Sequence, residues 1–230
     1  MVPSDMRFRV NGDSGEQELT STIDKVVIAG WTGRDSAALE RHIGELGALG
    51  VARPSSTPIF YFVSTNRLVT APVIEVSGDR SSGEVEFVLV QAGTRLYVGV
   101  GSDHTDRAAE AYSVTVSKQM CDKPLAAELW DFADVEHHWD KLVLRSWAVD
   151  DGRRTLYQEG SVSGIRAPVD LIEKYAGTSQ LPEGTVMFCG TFAAKGGIRS
   201  AQRFEFELED PVRGRRIRHG YDVVSLPVAT

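Results

Sequence analysis

Short apolar runs separated by turn residues are the feature that most constrains how this chain can fold. The runs are rich in Val, Ile, Leu, Phe and Tyr, and Gly, Ser, Asp or Pro lies at their boundaries. Strands and helices do not alternate strictly, and the sequence contains no internal repeat. The pattern therefore predicts an α+β, mainly β fold. The expected strands are residues 8–10, 25–30, 58–63, 73–76, 84–90, 96–100, 142–149, 155–159, 185–190, 203–208 and 221–224.

Helices are expected at only three places. The first begins after Asp35 or Ser36, either of which can cap it, and ends at Gly50. Its apolar residues recur at the spacing of one helix face. Shorter helices are predicted at residues 124–132 and 168–176.

Length, composition and charge limit the possible partners and locations. The 230 residues are 42% hydrophobic and 25% charged, which predicts a single globular domain over 1–230 with 1–24 as a partly separate N-terminal strand segment. A net charge of -7 argues against a nucleic-acid partner, because phosphate binding needs clustered cations. No apolar run approaches the roughly 18 residues of a membrane span, and the N-terminus lacks signal-peptide features. We therefore expect a cytoplasmic protein without a nucleic-acid or membrane partner.

Three carboxylates suggest a metal site. Glu84 and Glu86 lie two apart on an expected strand, so their side chains project from the same face. Asp103 follows after a second strand. Carboxylates without Cys or His suit a hard ion such as Mg²⁺, Mn²⁺ or Ca²⁺. The alternative is a solvated strand face that carries acids and binds no ion.

Several blocks of the sequence resemble the fumarylacetoacetate hydrolase family, over about residues 26–224. Residues 83–89 look like the Glu-x-Glu metal strand of that family. Residues 100–107 look like its Asn-Asp-x-Ser-Ala-Arg-Asp block, with Asp103 as the third ligand. Residues 181–191 resemble its Pro-Gly-Asp-x-Ile-x-Thr-Gly-Thr segment, which is the most specific of the three.

The resemblance implies a fold and a set of site residues. The implied fold is a fumarylacetoacetase C-terminal-like mixed β-sandwich or roll with a few short helices, and the implied assembly is a homodimer. Metal ligation falls to Glu84, Glu86 and Asp103, a catalytic role to Lys118, and substrate binding to the set Arg107, Gly190 and Thr191.

A catalytic pair is predicted on the first helix. His42 and Glu45 resemble the His-x-x-Glu dyad with which several family members activate water. Three positions apart on a helix, the two side chains share one face and can meet. The alternative for His42 is a surface or interface histidine, since amphipathic helices often carry such pairs.

The activity that the resemblance implies is hydrolysis of a carbon-carbon bond in a 1,3-dicarbonyl, acylpyruvate-like acid through a metal-bound enolate. One alternative is a 2-oxo acid lyase, either a decarboxylase or a hydratase, or an isomerase of the same family. Another is a non-catalytic small-molecule binding protein that kept the fold and lost the metal.

The chain also departs from the family pattern. The stretch between Glu86 and Asp103 is shorter than usual, and Ala108 replaces the Asp that follows the arginine. Residues 119–121 do not reproduce the usual Asp-Thr-Phe. These departures predict a divergent bacterial branch to which the reaction type does not transfer directly.

Overall fold

A computed structural model describes residues 2–12, 15–48 and 53–229, and it describes the backbone alone at positions 38, 42 and 45–48. Within these ranges the strands are β1 (Ser4–Gly12), β2 (Gly15–Ile23), β3 (Lys25–Gly30), β4 (Ile59–Val63), β5 (Leu68–Val69), β6 (Val73–Ser77), β7 (Ser81–Ser82), β8 (Val85–Ala92), β9 (Arg95–Ser102), β10 (Thr105–Asp106), β11 (Lys123–Pro124), β12 (Glu128–Asp131), β13 (Val143–Asp150), β14 (Arg153–Ser161), β15 (Thr185–Phe188), β16 (Arg203–Asp210) and β17 (Arg215–Leu226). The α-helices are α1 (Ser36–Ala48), α2 (Arg107–Glu110), α3 (Val114–Met120) and α4 (Pro168–Ala176).

The larger sheet has eight strands in the order β2-β1-β12-β9-β8-β15-β3-β4. Its β1/β12 and β15/β3 pairs are parallel and its other pairs antiparallel. Apolar side chains from strands far apart in this order meet in one buried cluster, so the sheet curls around its own core. The cluster includes Phe8, Val26, Val63, Val88, Leu129 and Phe188.

The smaller sheet has five strands in the order β14-β13-β16-β17-β6, and it packs against β8 and β9 of the larger sheet. A second buried cluster fills the space between the sheets, with Phe87 and Leu89 on one side and Leu144 and Phe206 on the other. Strand β8 is therefore covered on both faces, which explains its almost continuous apolar sequence. The predicted mainly β sandwich or roll with few short helices is confirmed.

The N-terminal segment contributes a hairpin to the larger sheet. Strand β1 pairs with β2 along its length and with β12 at Arg9 and Val10. The hairpin therefore forms the edge of the larger sheet beyond β12. The division into one domain with a partly separate segment at residues 1–24 stays a prediction.

Two local predictions have different outcomes. Helix α1 is present, and Asp35 caps it by accepting a 2.9 Å hydrogen bond from the amide of Ala37. The predicted helix at residues 124–132 is wrong, because β11 and β12 occupy this stretch. Strand β12 fills the place between β1 and β9, where Leu129 and Trp130 are fully buried on opposite faces of the sheet. Tertiary burial outweighs the local helix propensity of the Ala and Leu residues between positions 124 and 132.

Candidate metal centre

The hairpin of β8 and β9 brings the three predicted metal ligands together. Glu86 lies in β8, Glu84 immediately precedes that strand, and Asp103 immediately follows β9. The amide of Asp103 donates a 2.9 Å hydrogen bond to the carbonyl oxygen of Glu84, which closes the open end of the hairpin. One carboxylate oxygen from each residue lies within 4.8 Å of the others. The three acids therefore form one cluster.

The cluster is buried on the Glu86 and Asp103 side and partly open at Glu84. Glu86 and Asp103 are 2% and 0% exposed, whereas the side chain of Glu84 is 19% exposed. Burial raises the pKa of Glu86 well above its ordinary value, and the negative charges of Asp103 and Glu84 raise it further. In the absence of a cation, the charged form of Glu86 is therefore unfavourable.

Two buried lysines balance Asp103. Lys118 on α3 donates a hydrogen bond to Oδ2 of Asp103 and lies 3.7 Å from Oε2 of Glu84. Nζ of Lys123 lies 3.1 Å from Oδ1 of Asp103. Burial alone would raise the pKa of Asp103, but the two ammonium groups outweigh it and lower the pKa. Asp103 is thus held as a carboxylate.

The two lysines differ in the direction of their pKa shifts and in whether the sequence indicated them. Burial alone would lower the pKa of Lys118, but the three carboxylates, Asp103 foremost, outweigh burial and raise it. For Lys123, burial dominates over Asp103 and the pKa is lowered. The family resemblance indicated Lys118, whereas nothing in the sequence indicated Lys123. Its place in the short strand β11 became known only from the structure.

Arg107 anchors Glu84. Its Nη2 atom lies 3.2 Å from Oε1 of Glu84, and Nη1 donates a 2.8 Å hydrogen bond to Glu110. Its Nε donates a 2.7 Å hydrogen bond to the hydroxyl of Ser82. The other side of Arg107 borders a cavity of about 330 Å³ that Ser81 also lines. Contact between Arg107 and a substrate stays a prediction.

Gly190 and Thr191 form hydrogen bonds with the metal strand. The Gly190 amide donates a 2.6 Å bond to Oε2 of Glu86, and the Thr191 hydroxyl donates a 2.7 Å bond to the carbonyl oxygen of Val85. Gly190 has φ +108°, and a Cβ there would lie 1.8 Å from Oγ1 of Thr32, so only glycine fits. The Gly190 amide and the Thr191 hydroxyl therefore already donate to acceptors within the protein. Their direct contact with a substrate stays a prediction.

The predicted dyad is only partly described. His42 and Glu45 lie in α1, as predicted, but their side chains fall outside the described part of the chain. Their mutual contact and their position relative to the carboxylates therefore stay predictions.

His104, beside Asp103, belongs to a buried hydrogen-bonded chain. Its Nδ1 lies 2.9 Å from the hydroxyl of Tyr221, and its Nε2 lies 2.8 Å from Oγ of Ser81. Burial, reinforced by the positive charges of Lys123 and Arg107, lowers the pKa of His104 to about 3. The ring is therefore neutral at pH 7, and it holds the backbone that carries Asp103.

The cluster fits a divalent cation. Three carboxylates provide the oxygen ligands that Mg²⁺ and similar ions prefer. Oδ1 of Asp103 is buried and accepts no hydrogen bond of acceptable geometry, despite the nearby Lys123, so a lone pair is available to an ion. In the described ranges, these residues form the only group of three or more acidic, His or Cys side chains close enough to share a metal.

The sequence matches one family model over most of its length. The family is described as "Protein of unknown function (DUF2848)", and its model matches residues 29–221. The chain belongs to the DUF2848 family. No curated protein sequence matches this DUF2848 chain.

Several solved structures have a similar fold. A crystal structure of Cg1458 covers 97% of the DUF2848 chain and 100% of its own, at 14% identity and a TM-score of 0.64. The match to a 2-keto-3-deoxy-D-arabinonate dehydratase complexed with magnesium and 2,5-dioxopentanoate covers 92% of the DUF2848 chain and 77% of the dehydratase chain, at 16% identity and a TM-score of 0.64. The match to fumarylacetoacetate hydrolase from the psychrophile Exiguobacterium antarcticum covers 92% of the DUF2848 chain and 82% of the hydrolase chain, at 14% identity and a TM-score of 0.62.

The similarity confirms the fold that the motifs predicted. The DUF2848 chain has the fold of fumarylacetoacetate hydrolase-like proteins, although its identity to these structures is too low to carry an activity across. Among the described residues, no helix is long and apolar enough to cross a membrane.

Proposed function

We propose that this chain is a divalent-metal-dependent hydrolase that cleaves a carbon-carbon bond of a 1,3-dicarbonyl, acylpyruvate-like acid. The observation that carries the proposal is the buried cluster of Glu84, Glu86 and Asp103 with Lys118 at its edge. Even with the lysines present, burial and the charges of Asp103 and Glu84 disfavour the charged form of Glu86, and a bound cation would offset this. The enzymatic names of two proteins with the same fold also support an enzyme.

The chain's own residues divide into ligands and supports. An ion such as Mg²⁺, or alternatively Mn²⁺ or Ca²⁺, would supply Lewis-acid stabilisation of negative charge on the substrate oxygens. Glu84, Glu86 and Asp103 would hold it. The Gly190 amide orients Glu86. Lys118, whose side chain is 8% exposed, orients Asp103, and its ammonium group would donate to a substrate oxygen.

Proton transfer is assigned to the dyad of α1. In the proposed reaction, His42 removes a proton from the water that attacks the distal carbonyl carbon. The bond between that carbonyl carbon and the central carbon of the dicarbonyl then breaks, and His42 returns the proton to the central carbon, which leaves with the bonding electrons. Glu45 would fix the tautomer of His42.

A lyase or isomerase acting on a 2-oxo acid is the second candidate. It is favoured by the neighbour described as a dehydratase complexed with magnesium and 2,5-dioxopentanoate. This chemistry needs the metal ligands but does not require a water-activating histidine. His42→Ala separates the two candidates: near-complete loss of turnover supports the dyad, and unchanged turnover rules out hydrolysis through it.

We further propose a cytoplasmic homodimer that binds a small oxo acid or dicarbonyl compound. The net charge of -7 supports the absence of a nucleic-acid partner. Sedimentation of the purified protein tests the dimer.

Thermal unfolding with chelator, Mg²⁺ or Mn²⁺ tests the metal site. The ion should stabilise the wild type by about 2.7 kcal/mol at a hundredfold excess over Kd, and should not stabilise Glu84→Gln/Glu86→Gln. The matched control is Glu16→Gln/Glu18→Gln, which removes two exposed acids at the same spacing on β2. If the wild type gains no stability from either ion, the acids bind no metal, and the alternative of a non-catalytic binding protein is favoured.

A further inference from the structure

Lys123 is a buried cation beside a metal ligand. Its side chain is fully buried, and Nζ lies 3.1 Å from Oδ1 of Asp103. Nζ also donates a 2.5 Å hydrogen bond to the carbonyl oxygen of His104. Both neighbours are acceptors, so they suit the charged ammonium form, which has only hydrogens to donate.

With both acids ionised, as they would be as metal ligands, the most deeply buried part of the metal centre is electrically neutral before the charge of an ion is added. Glu86 and Asp103 contribute two negative charges, and Lys118 and Lys123 contribute two positive charges; all four residues are 6% exposed or less. At the partly open edge, Glu84 is paired with Arg107. Without Lys123, the buried part would carry one negative charge and would attract a divalent ion more strongly.

A divalent ion therefore brings uncompensated positive charge into this site. A ligand with one negative charge offsets half of that charge, and a dianion that chelates through two oxygens offsets all of it. The charge on the ligand thus determines how favourable the loaded site is, because desolvated charges interact strongly.

We propose that Lys123 couples the two binding events: it weakens the binding of the ion alone and makes tight metal binding depend on a dianionic chelating substrate. This inference rests on the proposed function and specifies its substrate class as dianionic. Coupling between two ligands is reciprocal, so the dianion in turn binds tightly only to the metal-loaded protein. A lysine that merely oriented Asp103 would instead strengthen the binding of the ion alone.

Isothermal titration calorimetry with Mn²⁺ and malonate as probes tests the coupling. Saturating malonate should raise the affinity of the wild type for Mn²⁺ at least tenfold, after correction for Mn²⁺-malonate association in solution. Lys123→Met should bind Mn²⁺ alone at least tenfold more tightly than the wild type and should lose most of the malonate effect. Lys174→Met, which removes a half-exposed lysine on α4, should match the wild type.

Two further measurements keep the outcomes distinct. If Lys123→Met does not fold, Lys123→Gln retains a donor to the His104 carbonyl oxygen and replaces it. In the wild type, lactate, a chelator with one charge, should enhance Mn²⁺ binding at least tenfold less than malonate after the same correction. Equal enhancement by lactate, or weaker Mn²⁺ binding by the Lys123 variant, overturns the coupling. Absence of Mn²⁺ binding to the wild type under every condition overturns the proposed function instead.

Discussion

The backbone amide of Gly190 donates a 2.6 Å hydrogen bond to Oε2 of Glu86, although 104 positions separate the two residues in the chain. This bond links the end of β15 to the metal strand β8. It holds in place one carboxylate oxygen of Glu86, whose charged form is unfavourable in the cluster. A residue that is not itself a predicted ligand therefore determines where the predicted metal ligand Glu86 points.

Gly190→Ala should destabilise the protein strongly, because the new Cβ would meet Oγ1 of Thr32 at 1.8 Å and φ is +108°. We expect a loss of about 3 kcal/mol in the free energy of unfolding, measured by urea denaturation. Gly197→Ala is the control: its φ is +87°, and no atom lies within 4 Å of the new Cβ. It should lose only about 1–2 kcal/mol. Equal losses would show that backbone strain, and not contact with Thr32, limits position 190.

Glu86→Gln should have opposite effects with and without metal. The raised pKa of Glu86 means that its charged form opposes folding in chelator, whereas a glutamine oxygen can still accept from the Gly190 amide. We expect the variant to be about 1 kcal/mol more stable than the wild type in chelator at pH 7. Mg²⁺ should stabilise only the wild type. A variant less stable than the wild type in chelator would contradict this electrostatic account.

Lys118→Met should destabilise the protein in chelator by about 3–5 kcal/mol, because it leaves buried carboxylates without their main cation. Added Mg²⁺ should restore part of the loss. Lys174→Met should change the free energy of unfolding by less than about 0.5 kcal/mol, since that lysine is half exposed. Similar losses for the two lysine variants would rule out a special role for Lys118.

Asp210 predicts a dependence of stability on pH away from the metal centre. Its buried carboxylate accepts hydrogen bonds from Nε2 of His138, from the amides of Val212 and Arg213, and from Nε of Arg215. These bonds hold the turn between β16 and β17. Burial alone would raise the pKa of Asp210, but the Arg213 amide and His138 outweigh it and lower the pKa.

Asp210→Asn should therefore lose about 2 kcal/mol in the free energy of unfolding at neutral pH. A carboxylate with a lowered pKa in the folded state stabilises the protein above its ordinary pKa of 3.8, and this contribution disappears as the pH falls through the folded value. The gap between wild type and variant should thus close below about pH 3.8. Urea denaturation across the acid range measures it, and a constant gap would mean that the charge of Asp210 is unimportant.

The three acids could be predicted because their placement is local. Glu84 and Glu86 share a face through strand periodicity, and Asp103 joins them through the hairpin of β8 and β9. The family resemblance added Lys118. Lys123 was not predictable in the same way, since lysine is seldom fully buried and helices α2 and α3 separate it from its partner Asp103 in the chain.

Long-range packing explains the other differences. Residues 124–132 have a composition that favours a helix, but the open place between β1 and β9 selects a strand there. The hydrogen bond from the Gly190 amide to Glu86 was not predicted. The distance along the chain between these two residues explains why spacing and periodicity carried no signal for their contact.

The order of these residues along the chain has a consequence for synthesis. Glu84, Glu86 and Asp103 emerge from the ribosome before the lysines that neutralise them, Lys118 and Lys123. For that interval the nascent hairpin carries acids that it cannot bury at low cost. Strand β8 receives its second neighbour, β15, later still. The hairpin should therefore remain hydrated on the ribosome and close into the sheet only after its counter-charges have been made.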